Sequence, residues 1–214
     1  MTSYSVKGKK FGVIKAKKYI ISENKQYFII HPNYAESNVH KEHVTHKEKI
    51  IDYSNGDNKI VDVIEITDEY IKTKYFYGWY PLVITENCKI FYTDDEIKKR
   101  SKLYLDLLMD YEKLKNLYYQ IKKEYIDFEN NTGLLFTDKT SNNILINKDF
   151  TDFRIIDINS ISTFESARKN HRGPRENNSK RIMAYPIQNN SETGLSGPKC
   201  IHVHFLTDEI LNRI

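Results

Sequence analysis

The 214-residue chain has 39% hydrophobic and 29% charged residues, which suits a soluble folded protein. Its 8 Gly and 5 Pro exclude a low-complexity chain. A net charge of +4 and a pI near 8.8 are compatible with an anionic ligand without demanding nucleic acid. Cys88 and Cys200 lie far apart with no CxxC pair, which excludes a zinc knuckle or a disulfide framework. The N-terminal stretch lacks a continuous apolar signal core and no run approaches membrane-spanning length, so the expected compartment is the cytoplasm.

Along the chain, residues 11–31 hold three short β-rich runs, around Val13-Ile14, Tyr19-Ile21 and Tyr27-Ile30, separated by charged or turn residues. The segment "ESNVHKEHVTHKEKII" predicts a helix capped at Ser37 or Asn38, with Val39, His43, His46 and Ile50 near one face. After the turn "SNGD", Ile60–Ile66 and Tyr70–Tyr77 read as two strands. "GWYPL", residues 78–82, has the Gly and Pro of an interlobe connection or a surface turn.

From Asp94 to about Glu124 the period changes. Leu103, Leu107, Tyr111, Leu114, Tyr118 and Ile121 recur at three- and four-residue steps, predicting one long helix with a buried stripe. A loop at "ENNTG" follows, then "LLFTDKTSNNILI", then a hairpin with Ile144-Ile146 and Phe153-Ile156 flanking "NKDFTD".

Chemistry concentrates in that last region. Asp138 and Asn143 stand five residues apart between apolar runs, and Asp157 ends the following strand in "FRIID". Alone, the first two residues fit an Asx-rich turn. With Asp157 they form an ordered set of hard oxygen groups, as phosphoryl transfer requires: ligands for Mg²⁺ and an acid beside the attacking hydroxyl.

"LLFTDKTSNNILI" and "FRIIDIN" resemble the corresponding motifs of the protein-kinase-like phosphotransferase family. The resemblance implies an α+β, truncated bilobal fold: a small β-rich N-lobe over residues 1–77, a hinge at 78–82 and a reduced helical C-lobe over 83–214. It makes Asp138 the substrate-orienting residue or general base and gives Asn143 and Asp157 to the metal. ATP and Mg²⁺ are the implied cofactors, and a protein or other hydroxyl compound the implied substrate. Phe136 and Thr137 stand where a protein kinase usually has His and Arg, "DIN" replaces Asp-Phe-Gly, and Gly8 and Gly12 do not form a Gly-rich loop.

For the cation that positions phosphate, "GVIK" offers Lys15, with Lys17 and Lys18 nearby, whereas element order puts His31 at that slot. Glu42 is the candidate helix acid to orient the cation, and Glu48 its alternative. The missing Gly-rich loop keeps a second function open, a pseudokinase that binds and regulates a protein partner. A third is nucleic-acid binding through the basic run Arg168–Arg181, although that run reads first as a solvated loop. His40, His43 and His46, and the pair His202 and His204, read as packing or polar histidines rather than a zinc site. Few residues follow Asp157, so a large peptide-holding region is not expected, and a substrate presented by a partner or a compact hydroxyl compound is.

Overall fold

The computed structural model describes residues 2–6, 17–32, 37–82, 92–139, 143–169, 182–184 and 204–206. They form a mixed α and β structure with small antiparallel sheets and five α-helices among the described residues. Two compact units can be distinguished. The first comprises Met1–Tyr77, Asp127–Thr137 and Asp157–Gly173; the second comprises Gly78–Ile126, Asp138–Ile156 and Pro174–Ile214. The boundary between Tyr77 and Gly78 falls at a left-handed backbone position, Gly78 with φ +76°, a conformation that glycine adopts without a Cβ penalty.

In the first unit, strands β1 (Thr2–Val6), β2 (Lys17–Ile21), β3 (Tyr27–His31), β4 (Val63–Ile66) and β5 (Ile71–Lys74) make one sheet in the order β1-β2-β3-β5-β4. Every neighbouring pair is antiparallel. Period-two alternation turns Ile30, Ile71 and Thr73 inward while Lys72 and Lys74 stay on the other face. The run expected at Val13-Ile14 lies outside the described residues, and the first described strand is Thr2–Val6, which the sequence did not suggest.

Helices α1 (Ser37–Thr45) and α2 (Lys47–Ser54) stand where one helix was expected. His46 interrupts them with φ −107° and ψ 17°, yet its N–H still reaches the Glu42 carbonyl at 2.9 Å, so the interruption is local. Ile50 is fully buried, and the Ser54 hydroxyl accepts the Val63 amide at 3.0 Å, tying the end of α2 to β4.

The expected long helix is also two: α3 (Asp94–Met109) and α4 (Tyr111–Thr132). Thr93 and Glu96 form a reciprocal capping box at the start of α3, satisfying two amides that the first turn leaves without partners. Asp110 ends α3 and begins α4, because its carboxylate accepts the Lys113 amide at 3.1 Å. α4 runs on through "ENNT", expected as a loop, and stops at Gly133, whose φ of +70° closes the helix with a bond to the Glu129 carbonyl at 2.9 Å.

In the second unit Tyr118, Ile121 and Tyr125 of α4 are buried, as are Ile144, Ile146, Phe153 and Ile155 of a three-stranded sheet. Its strands are β6 (Tyr80–Pro81), β8 (Ile144–Ile146) and β9 (Phe153–Ile155), in the order β6-β8-β9. β8 and β9 form the expected hairpin, with Ile144 opposite Ile155. The first unit contains a second small pairing, β7 (Leu135–Phe136) with β10 (Ile161–Ser162). Two further strands, β11 (Ile182–Ala184) and β12 (His204–Leu206), pair with each other. α5 (Phe164–Lys169) completes the helices. Among the described residues no helix is long and apolar enough to cross a membrane.

Candidate functional site

Leu135 and Phe136 are buried, and Phe136 pairs with Ile161 across β7 and β10. Thr137 then fixes the exit of β7, its amide and its hydroxyl both donating to the Ser160 carbonyl at 2.8 Å. Asp138 follows as an exposed residue. Lys139 turns inward, 4% exposed, with its ammonium 5.3 Å from the centre of the Tyr125 ring. Burying an ammonium is costly unless it is compensated, so Lys139 is a constrained neighbour of Asp138. Sequence reasoning passed over it because one lysine in a polar loop carries no pattern.

At the far end of the loop, the Asn143 side-chain amide donates to the Asp138 carbonyl at 3.2 Å. A carbonyl can only accept, so Nδ2 rather than Oδ1 faces Asp138. The two residues singled out by spacing are thus drawn together by a side-chain-to-backbone hydrogen bond. Asn143 also extends the hairpin at its open end: its carbonyl accepts the Ile156 amide at 2.9 Å, while the Ile144 carbonyl accepts the Leu82 amide at 2.7 Å.

Asp157 comes next in the chain after Ile156 and belongs to the first unit. It is half-buried and opens a single 3₁₀ turn, Ile158–Ser160. Its carbonyl accepts the Ser160 amide at 3.0 Å and the Ser160 hydroxyl at 2.9 Å, and the carboxylate does not cap the turn. Buried Ile158 and Ser160 anchor the backbone on either side of Asn159.

Glu42, on α1, takes its donors from the segment that follows. One carboxylate oxygen accepts the Ser162 hydroxyl at 2.9 Å and the Thr163 amide at 3.1 Å; the other accepts the Ser166 hydroxyl. Its partners are thus hydroxyls and an amide rather than a cation. Thr163 in turn accepts the Ser166 amide at 3.2 Å, so Glu42 and Thr163 together hold the first turn of α5. Lys15, the candidate cation, lies outside the described residues, as do Cys88, Cys200, His202 and residues 170–181 of the basic run. Lys17 and Lys18 are on β2, His31 ends β3, and Glu48 is exposed on α2.

The histidines of α1 are structural. His40 and His43 are buried, and each ring places Nε2 at 2.8 Å from a backbone carbonyl, of Thr67 and Ile161 respectively. Those nitrogens must therefore carry the proton. Among the described residues no group of three or more His, Cys, Asp or Glu side chains is gathered as for a metal ion. Asn143 and Asp157 offer oxygen donors of the type Mg²⁺ takes, usually few from protein and the rest from water and phosphate.

No known protein family matches the sequence, and a search of curated proteins gives no match. Among solved structures, the ADP-bound aminoglycoside phosphotransferase APH(2'')-Ib is similar with a TM-score of 0.37 and 14% identity, over 76% of this chain and 67% of that one. A likeness of that extent leaves fold family and function to be argued from the residues themselves.

Proposed function

We propose that this chain is a compact kinase-like phosphotransferase, moving the γ-phosphoryl group of ATP to a hydroxyl of a protein or of a smaller compound. The observation that carries the reading is the hydrogen bond from Asn143 Nδ2 to the Asp138 carbonyl at 3.2 Å, followed by a hairpin that leads the chain into Asp157. In this reading Asp138 orients the substrate hydroxyl and accepts its proton as the oxygen attacks the γ-phosphorus. The bond from that phosphorus to the bridging oxygen breaks, and ADP leaves with the electron pair. Asn143 and Asp157 would hold Mg²⁺, which neutralises phosphate charge when bound. Lys15 would meet the phosphates, and Glu42 would orient it only by exchanging its present donors in residues 162–166 for the ammonium. We place the protein in the cytoplasm on the same footing.

A transfer assay with labelled ATP, small hydroxyl compounds and peptides tests this reading, with Asp138→Ala as the matched control. Transfer that falls by about 10²–10⁴ in Asp138→Ala supports it, the range typical of a lost general base.

Glu42 favours a second reading. Its carboxylate is engaged by Ser162, Thr163 and Ser166, an arrangement suited to a pseudokinase that keeps the scaffold and binds a protein partner. Partner binding and cellular activity that survive Asp138→Asn combined with Asp157→Asn would select it. Nucleic-acid binding through Arg168–Arg181 has no comparable support among the described residues.

A further inference from the structure

One groove lies wholly within the first unit. It measures about 520 Å³ and runs between helices α1 and α2 on one side and strand β4 with its following turn on the other. Its apolar floor includes Ile51 and Ile64.

Ile64 owes its position to a bulge. Ile66 faces Ile71 and Glu65 faces Lys72, but Val63 then faces Thr73, so β4 carries one residue more than its partner across this stretch. The extra residue is Ile64, and it is 41% exposed while Val63 and Ile66 on either side are buried. A bulge of this kind re-aims a side chain. Here it delivers a large aliphatic group to solvent at a groove, where an ordinary β-strand would have kept strict alternation.

The groove is also strongly acidic. Glu48, Asp52, Glu65 and Asp68 line it, against the single ammonium of Lys47. Glu65 accepts the Tyr70 hydroxyl at 2.9 Å, a bond that leaves its charge in place. Among the described residues, the side chains of Glu48, Asp52 and Asp68 take part in no hydrogen bond or ion pair. Glu48 and Asp52 stand one turn apart on α2, where like charges repel. A groove lined by four carboxylates together with Ile51 and Ile64 is complementary to a segment that carries both Lys or Arg and an aliphatic or aromatic anchor.

We propose that the groove between α2 and β4 is a docking site for a basic, amphipathic peptide segment of a partner protein, with Ile64 and Ile51 receiving its apolar anchor and Glu48, Asp52 and Asp68 pairing with its cations. None of these residues belongs to the Asp138–Asn143–Asp157 set, and the proposed phosphoryl transfer uses Glu42 rather than Glu48.

The test is fluorescence anisotropy of the full chain with a labelled peptide of alternating Lys and Leu, beside a Glu and Leu counterpart. The basic peptide should bind about tenfold or more tightly than the acidic one, a difference worth about 1.4 kcal/mol. Ile64→Ser and the double variant Glu48→Gln, Asp52→Asn should each weaken binding at least about fivefold, with the folded circular dichroism spectrum retained because all three side chains are solvent-accessible. Binding by the double variant should also lose most of its salt dependence. Glu23→Gln with Asp57→Asn, which removes two acids elsewhere, should bind as the wild type does. Equal affinity across these proteins overturns the proposal. So does tighter peptide binding when Arg172 and Arg175 are replaced by Ala, which would make the chain's own basic run the occupant. Self-association abolished by Ile64→Ser would make a second copy the occupant and overturn it equally.

Discussion

The Glu42 carboxylate accepts the Ser162 hydroxyl at 2.9 Å, across 120 residues of sequence, and thereby ties helix α1 to the strand that follows Asp157. Ser162 is buried and the Thr163 amide shares the same oxygen at 3.1 Å, so removing the carboxylate leaves donors that water cannot fully reach. Glu42→Ala should lower unfolding stability by about 1.5–3 kcal/mol, the range for hydrogen bonds to charged groups. Glu42→Gln should cost less, because its amide oxygen still accepts one donor. Urea denaturation of both variants checks the order.

Phe128 sits fully buried in the first unit, edge-on to Tyr53 at 5.2 Å and tilted against Phe136 at 4.8 Å. Phe128→Ala removes a ring from between two others and should destabilise by about 3–5 kcal/mol. Because Phe136 lies two residues before Asp138, the same variant should alter the amide environment of Asp138 in an NMR spectrum.

Asp110 separates α3 from α4 by capping the second helix through Lys113. Asp110→Ala should cost about 0.5–2 kcal/mol as a lost cap. Circular dichroism should show helix content retained at low temperature, since α4 keeps its buried stripe, while the midpoint of thermal unfolding falls.

Tyr70 donates to Glu65 at 2.9 Å, and the phenol is held above its usual value of 10.0 by that hydrogen bond first, then by loss of hydration, then by the charges of Glu65 and Glu69. A phenol whose folded value is raised contributes stability below the unfolded value, and the contribution is lost as pH rises through the folded value. Stability should therefore decline above about pH 10 less steeply in Tyr70→Phe than in the wild type. Glu65→Gln should bring the ring titration back toward its usual range in an NMR titration of labelled tyrosine.

The hairpin of β8 and β9 was legible because alternating apolar residues flank a turn-rich "NKDFTD", and Asn147 indeed closes that turn by accepting the Thr151 amide at 2.9 Å. The break at Asp110 was not legible. Leu107, Tyr111 and Leu114 keep a helical step straight across it, and a single capping residue interrupts the hydrogen bonds without shifting the stripe. "ENNTG" was taken for a loop on its polar residues, yet Glu129, Asn130 and Asn131 line the outer side of α4 and only Gly133 stops it. The Asp138–Asn143 pair could be found by spacing, since the contact closes within six residues. Glu42 with Ser162 could not, because a helix acid carries no local sign of a partner so distant in sequence. The bulge at Ile64 was invisible for a related reason: register is a property of two strands, and the extra residue appears only when β4 meets β5.

Calorimetric titration of the full chain with ATP, with and without Mg²⁺, tests the phosphotransferase account most directly, since it needs no knowledge of the acceptor. The account predicts binding that requires Mg²⁺ and weakens at least about tenfold in Asp157→Ala, while Asp57→Asn, at an exposed position, leaves it unchanged. Absence of binding by the folded wild-type chain, across nucleotides and divalent metals, would contradict it.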